Sequence, residues 1–67
     1  MITLRINGQP RQFPAPISIA ELVAALDLSG KRIAVERNGE IVPRSQHGKA
    51  QVADGDRLEI VVAVGGG

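Results

Sequence analysis

Few side chains in this sequence could act as catalytic groups. The chain has no cysteine or tyrosine and a single histidine, His47, so the possible nucleophile and base pairs reduce to a hydroxyl such as Ser45 beside that histidine. Both residues lie in a segment without clear periodicity, and a triad also needs an orienting acid and an oxyanion site. We therefore expect His47 to be a solvated loop residue and not a catalytic base.

The acidic and glycine-rich motifs also have structural explanations. Asp54 and Asp56 flank Gly55, but the other ligands of a calcium loop are missing, so these residues are predicted to form a turn. The glycines at 65–67 follow a strand pattern and do not precede a helix, unlike the glycines of a phosphate-binding loop.

The remaining reactive group is the carboxylate of Gly67. Three consecutive glycines, Gly65, Gly66 and Gly67, form a backbone without side chains and with free φ angles. Such a segment can enter a channel too narrow for other residues, and its carboxylate offers an unhindered acyl carbon for activation by a nucleotide. A frayed terminus or a linker left by cloning is the alternative explanation.

Length, charge and composition exclude several functional classes. The chain has 67 residues, 43% of them apolar, which predicts one small domain with too little core to enclose a deep active site. The net charge is +1 and Phe13 is the only aromatic residue, so the basic and aromatic surface of a nucleic-acid-binding protein is missing. No apolar stretch could span a membrane, no signal peptide is visible, and the lack of cysteine fits a reducing compartment, so we expect a cytoplasmic protein.

The first part of the chain is predicted to form a hairpin. Apolar and polar residues alternate over 2–7, which is typical of a strand with one face on a core. The dipeptide Asn7–Gly8 favours a tight turn into a return strand over 9–13. Pro10 cannot donate a ladder hydrogen bond, so this second strand is expected at a sheet edge.

One helix is predicted after this hairpin. Ser18 and Glu21 have the spacing of a capping box at its start, and Gly30 follows its end. The apolar residues of its core-facing stripe are Ile19, Leu22, Val23 and Leu26.

The second half of the chain is predicted to contain three strands. Two of them, over 33–37 and 40–42, are joined by the turn Asn38–Gly39, and the last runs over 57–64. The intervening segment 44–51 is irregular, with room for one helical turn. This order predicts an α+β domain, a mixed sheet of about five strands with one helix across one face, in which the first and last strands are parallel neighbours.

The last strand presents a second face that begins charged and becomes apolar at Val61 and Ala63. We expect neighbouring side chains of a central strand to cover these two residues. The alternative is an exposed patch where a partner docks.

Three segments of the chain resemble those of the ThiS family, the ubiquitin-like β-grasp sulfur carriers of thiamine (thiazole) biosynthesis. They are the hairpin 38–45, the turn and strand 54–61, and the tail 64–67. The likeness extends over the whole chain. It implies a β-grasp domain over residues 1–64 and a flexible C-terminal glycine tail over residues 65–67.

The same resemblance implies a sulfur carrier and not an enzyme. Gly67 would be adenylated by an E1-like adenylyltransferase of the ThiF type with ATP and Mg²⁺, and converted to a thiocarboxylate with sulfur from a cysteine desulfurase relay system. A thiazole synthase of the ThiG type would receive the sulfur. Gly65 and Gly66 would thread into the partners' active sites. No permanently bound cofactor, metal, nucleic acid or membrane partner is implied.

Other functions are compatible with the same sequence. The small subunit of molybdopterin synthase uses the same terminal chemistry for another acceptor, and ubiquitin-like modifiers share the fold. A non-catalytic β-grasp interaction module would instead bind its partner through the uncovered sheet face, with the glycine tail idle.

Overall fold

The computed structural model describes residues 1–63 of the chain, and the predicted boundary between residues 64 and 65 lies outside this range. The predicted order of strands and helix is confirmed. The last strand ends at residue 62, and the predicted helical turn within 44–51 is a short 3-10 helix. The elements are β1 (Ile2–Ile6), β2 (Gln9–Phe13), α1 (Ile19–Ala25), β3 (Ile33–Arg37), β4 (Glu40–Val42), the 3-10 helix (Arg44–Gln46) and β5 (Arg57–Val62).

The strands form one mixed sheet of five strands in the order β2-β1-β5-β3-β4. β1 and β5 are parallel neighbours, as predicted, and the other pairs are antiparallel. β2, which contains Pro10, lies at one edge, where its missing amide interrupts no ladder. β5 therefore lies in the middle of the sheet, and the glycine segment 65–67 follows it in the sequence.

The helix begins at the predicted capping box. The Ser18 hydroxyl accepts a hydrogen bond from Glu21 N at 3.1 Å, and a Glu21 carboxylate oxygen accepts one from Ser18 N at 2.9 Å. α1 has only seven residues, so packing on the sheet must stabilise it. Within residues 1–63, no helix is long and apolar enough to cross a membrane.

The core lies between α1 and one face of the sheet. The chain segment after the 3-10 helix closes one side of this core. Its buried apolar residues are Leu4, Ile6, Phe13, Ile17, Ile19, Leu22, Val23, Val35, Val52, Leu58 and Ile60.

The expectation that His47 is a solvated loop residue was wrong. Its side chain is buried, and its Nε2 lies 3.0 Å from the carbonyl oxygen of Val42, to which it donates. The backbone around it is bound to the start of α1, since Ala20 N donates to His47 O at 2.8 Å and Ile19 N donates to Ala50 O at 2.9 Å. These hydrogen bonds hold the segment 44–51 against the start of α1, where the His47 imidazole is buried.

Candidate functional site

The end of β5 is the part of the candidate site that the structure describes. Val62 pairs with Ile33, and Ala63 N then donates a hydrogen bond to Arg32 O at 2.8 Å. The chain is therefore bound to the sheet through its last described residue. The predicted tail residues Gly65, Gly66 and Gly67 lie outside the described residues, and their role stays a prediction.

Two asparagine side chains bind β5 from the hairpin turns. Asn7 accepts a hydrogen bond from Ile60 N at 2.8 Å and donates one to Ile60 O at 3.1 Å. Asn38 accepts one from Arg57 N at 2.9 Å. Both asparagines have positive φ angles, 52° and 51°, which turn residues of this type tolerate. The Asn–Gly pattern predicts that both residues lie in turns, but it carries no signal of their contacts with β5.

Asp56 stabilises the turn before β5. Its carboxylate accepts hydrogen bonds from Arg37 Nε at 2.8 Å, from Asn38 Nδ2 at 3.1 Å and from Ala53 N at 2.8 Å. Burial alone raises the pKa of Asp56, but the hydrogen bonds from Ala53, Asn38 and Arg37, together with the Arg37 charge, outweigh it and hold this pKa below its ordinary value. The predicted turn at Asp54–Asp56 is confirmed, and Asp56 has a structural role there.

Acid should destabilise the fold through Asp56. A lowered folded-state pKa gives stability that is present above the unfolded-state value, about 3.9, and is lost as the pH falls through the folded-state value. We expect the free energy of unfolding, measured by urea titration, to fall as the pH drops below about 4. Asp56→Asn should flatten this dependence.

Glu21→Gln provides a comparison for the acid titration. The Ser18 backbone and hydroxyl hydrogen bonds lower the pKa of Glu21. Ionised Glu21 therefore also stabilises the fold, and acid removes this stabilisation as it does for Asp56. Its side chain is exposed, which should make its share of the pH dependence smaller. An Asp56→Asn protein with the wild-type pH dependence would contradict the assignment to Asp56.

The sheet face opposite α1, here called the open face, exposes apolar residues beside the end of β5. Val61 is 61% exposed, Ile41 of β4 is 64% exposed, and Ala63 is also exposed. The expectation that neighbouring side chains cover Val61 and Ala63 was wrong. Val61 lies opposite Ala34, whose methyl group is too small to cover it, and α1 packs on the other face.

The structure does not assemble a catalytic centre from the candidate side chains. His47 Nε2 is hydrogen-bonded to Val42 O, and within residues 1–63 no side-chain hydrogen bond joins Ser45 to His47. Residues 1–63 contain no group of three or more acidic or histidine side chains placed to hold a metal ion.

Comparison with known proteins identifies the family. The model of the ThiS family matches residues 4–67. The chain belongs to the ThiS family. Its sequence is 35% identical to the sulfur carrier protein ThiS of Bacillus subtilis over 65 residues, which cover 96% of this chain and 98% of that protein.

A solved structure confirms the fold of this ThiS-family chain. The crystal structure of the thiamine biosynthesis protein ThiS from Geobacter metallireducens superimposes with a TM-score of 0.82 and 32% sequence identity. The match covers 98% of this chain and 100% of that one. The five-stranded mixed sheet with one helix is therefore the predicted β-grasp fold.

Another relative of this ThiS-family chain is a much longer protein. A thiazole synthase of Paramagnetospirillum magneticum is 47% identical over 64 residues, which cover 96% of this chain. The chain spans only 20% of the length of that enzyme. The similarity thus relates this chain to one segment of a thiazole synthase and not to the whole enzyme.

Proposed function

We propose that this ThiS-family protein carries sulfur as a thiocarboxylate on Gly67 and donates it to thiazole synthase in thiamine biosynthesis. The family match through residue 67 is the observation that carries this proposal. The anchoring of β5 supports it, because hydrogen bonds hold the chain to the sheet as far as Ala63, which precedes the Gly67 carboxylate by only four residues.

The chemistry begins with activation of the terminal carboxylate. A carboxylate oxygen is a poor leaving group, so the carboxylate must first be activated. One Gly67 carboxylate oxygen attacks the α-phosphorus of ATP, which forms the adenylate, and pyrophosphate leaves. The persulfide of the sulfur relay then attacks the acyl carbon, and AMP leaves with the electron pair of the broken C–O bond. A thiol cleaves the acyl disulfide that forms, which leaves the thiocarboxylate on Gly67 and a disulfide on the relay. ATP and Mg²⁺ are bound by an E1-like adenylyltransferase of the ThiF type, which supplies the transition-state stabilisation. The carrier itself needs no permanently bound cofactor.

Thiazole synthase of the ThiG type is the proposed acceptor. The similarity to a segment of the Paramagnetospirillum magneticum thiazole synthase supports this partner. The match to the ThiS family favours the thiazole pathway over the molybdopterin pathway. A cysteine desulfurase relay supplies the sulfur, and the protein acts in the cytoplasm.

The partners dock on the open face beside the end of β5. Val61 and Ala63 are exposed there and precede the tail, so a partner that contacts them also lies close to the start of the glycine segment. Gly65 and Gly66 carry no side chain, so they fit a narrow channel and thread into the partner's active site.

Intact mass spectrometry tests the proposal directly. The chain is incubated with the adenylyltransferase from the same genome, ATP, Mg²⁺ and a sulfur source. We expect a mass increase equal to the replacement of one oxygen by sulfur, located by fragmentation at Gly67. Omission of ATP should prevent this change. An unchanged mass under conditions that load Bacillus subtilis ThiS would refute the proposal.

A further inference from the structure

β5 extends further along the sheet than its parallel neighbour β1. The two strands pair as far as Ile6 and Leu58, and Asn7 N then donates a hydrogen bond to Leu58 O at 2.9 Å. The chain turns away from the sheet at Asn7–Gly8, where both residues have positive φ angles. The Asn7 side chain adds one last pair of hydrogen bonds, to Ile60 N and Ile60 O. Beyond Ile60, no strand of residues 1–63 lies beside β5 on this side.

The backbone of Val62 faces this vacant strand position. Val62 lies opposite Ile33 of β3, and the next pair is hydrogen-bonded, since Ala63 N donates to Arg32 O. Hydrogen-bonded and non-hydrogen-bonded pairs alternate in an antiparallel ladder, so the N–H and C=O of Val62 point away from β3. Ile60, two residues earlier, points the same way and binds Asn7. Within residues 1–63, no hydrogen bond involves the N–H or the C=O of Val62.

An apolar groove of about 600 Å³ lies beside the same position, on the face of the sheet that carries α1. Its walls are the turn between β1 and β2 on one side and the end of α1 on the other. The apolar residues that line it are Ile6, Pro10, Leu26, Leu28, Ile60 and Val62, and Arg11 is its one charged lining residue. Val62 is 37% exposed there, whereas Leu58 and Ile60 on the same face of β5 are buried. An exposed apolar surface thus adjoins an unpaired strand edge.

These two features together fit an added strand from another protein. When an extended segment joins a sheet edge, main-chain hydrogen bonds supply affinity and pockets for alternate side chains supply specificity. A strand beside Val62 binds its N–H and C=O, and every second side chain of that strand enters the groove. A small apolar ligand would fill the groove but leave the backbone of Val62 unpaired. The occupant therefore needs only a polypeptide backbone and one well-placed apolar side chain.

The glycine segment gives this strand position a purpose. Residues 65–67 have no side chains, so a partner can hold them only through their N–H and C=O groups. Val62 precedes Gly65 by only three residues. A partner strand that starts to pair at Val62 is therefore placed to hold the backbone of the tail as well.

We infer that an extended segment of thiazole synthase adds to the sheet beside Val62, places an apolar side chain in the groove and continues along the glycine segment. The identity of this partner rests on the proposed function. The thiazole synthase that contains a segment similar to this chain favours the synthase over the adenylyltransferase. The other row of side chains of the added strand lies on the open face, next to Val61, where docking is proposed.

Hydrogen exchange of the Val62 amide tests the pairing directly. The isotope-labelled chain exchanges alone or with thiazole synthase from the same genome, and the remaining amide protons are read by NMR after quenching and dissociation. The Val62 amide should exchange at least about tenfold more slowly in the complex, because it gains a hydrogen bond. The Ile60 amide is the internal reference, since Asn7 already binds it in the free chain. A complex in which the exchange of Val62 is unchanged would overturn the inference.

Two substitutions at one position separate the backbone from the side chain. Val62→Pro removes the N–H that faces the vacant position, and no hydrogen bond within residues 1–63 is lost with it. Val62→Ala keeps this N–H and, like proline, lacks the valine methyl groups. Val62→Pro should bind thiazole synthase about tenfold more weakly than Val62→Ala, the effect of one hydrogen bond. Equal affinities would overturn the inference. If Val62→Pro is unfolded at the assay temperature, the exchange measurement alone decides.

A bulky residue in the groove tests the side-chain contact. Gln9 lines the groove from β2, so Gln9→Trp places a large ring there. Gln46→Trp makes the same change on the 3-10 helix, outside the groove, and serves as the matched control. Gln9→Trp should weaken binding to thiazole synthase about tenfold, and Gln46→Trp should bind like the wild type. Wild-type affinity of Gln9→Trp would overturn the role of the groove.

The outcomes separate this inference from the proposed function. Binding weakened by Val61→Asp but unchanged by Val62→Pro and Gln9→Trp would overturn the added strand and leave the docking face intact. Weaker binding of Val62→Pro and Gln9→Trp to the adenylyltransferase alone would overturn the assignment to thiazole synthase. A wild-type chain that cannot be loaded with sulfur would refute the proposed function itself.

Discussion

Removal of Gly67 should abolish sulfur loading while the fold stays unchanged. The shorter chain places its terminal carboxylate about 3.5 Å further from a partner's bound ATP, because each extended residue spans that distance. A displacement of this size should lower the rate of thiocarboxylate formation at least about 100-fold, since errors of about 1 Å already cost that much. The rate is measured by intact mass spectrometry after incubation with the adenylyltransferase.

The fold of the shortened chain is checked by circular dichroism and thermal unfolding. Within residues 1–63, the buried core residues lie between residues 4 and 60, and the last described hydrogen bond of β5 involves Ala63. The Tm should therefore match that of the full chain. A large loss of Tm would instead assign the tail a structural role, and normal loading of the shortened chain would refute activation at Gly67.

Gly66→Ala is the matched control for the deletion. It keeps the carboxylate at its original distance and adds only one methyl group. A strong loss of loading would support a narrow channel around the tail. Normal loading would contradict the threading of Gly66 but would leave the chemistry at Gly67 intact.

Local sequence signals were sufficient to predict the fold. The Asn7–Gly8 and Asn38–Gly39 turns mark the two hairpins, and the Ser18–Glu21 capping box marks the start of α1. Each of these signals involves residues close in sequence, whose backbone geometry depends little on the rest of the molecule. The parallel pairing of β1 with β5 followed because α1 supplies the crossover that such a pair requires.

The burial of single side chains could not be predicted in the same way. His47 is buried because hydrogen bonds from Ile19 and Ala20 draw its segment onto α1, and no local pattern encodes that contact. Val61 is exposed because α1 lies on the other face of the sheet.

The pairing of Glu36 with Glu59 on the open face was also beyond the sequence. It depends on the register between β3 and β5, strands that are separated in the chain by β4 and the irregular segment. Shifting that register by one residue would move one of the two glutamates to the other face. The tail stays a prediction from composition, because its glycines lie outside the described residues.

Leu22→Ala should destabilise the protein by about 2–5 kcal/mol, the usual cost of truncating a buried leucine. Leu22 is fully buried and lies in the middle of α1, where its side chain packs in the core between the helix and the sheet. Truncation leaves a cavity that a seven-residue helix on a five-stranded sheet cannot close without losing other contacts. Helix propensity does not account for the loss, because alanine is the better helix former.

The loss is large relative to the total stability of so short a chain. A domain of 67 residues has a free energy of unfolding of about 3–10 kcal/mol. We therefore expect the Tm to fall by more than about 8 °C, with a substantial unfolded fraction at 37 °C if the wild-type stability is at the lower end. Urea unfolding monitored by circular dichroism gives the free energy, and an unchanged m value would show that the unfolded state is the same.

Leu26→Ala is the comparison variant, because it truncates a partly buried leucine at the end of the same helix. Leu26 caps the C-terminal end of α1 and is only partly buried, so its truncation should cost less than that of Leu22. Equal losses for the two variants, or a Tm for Leu22→Ala within 2 °C of the wild type, would contradict the described packing of α1.

Because α1 lies on the face away from Val61, the Leu22→Ala protein that remains folded at low temperature should still be loaded at the wild-type rate. Stability and sulfur transfer would then be separable functions of the two faces of the sheet.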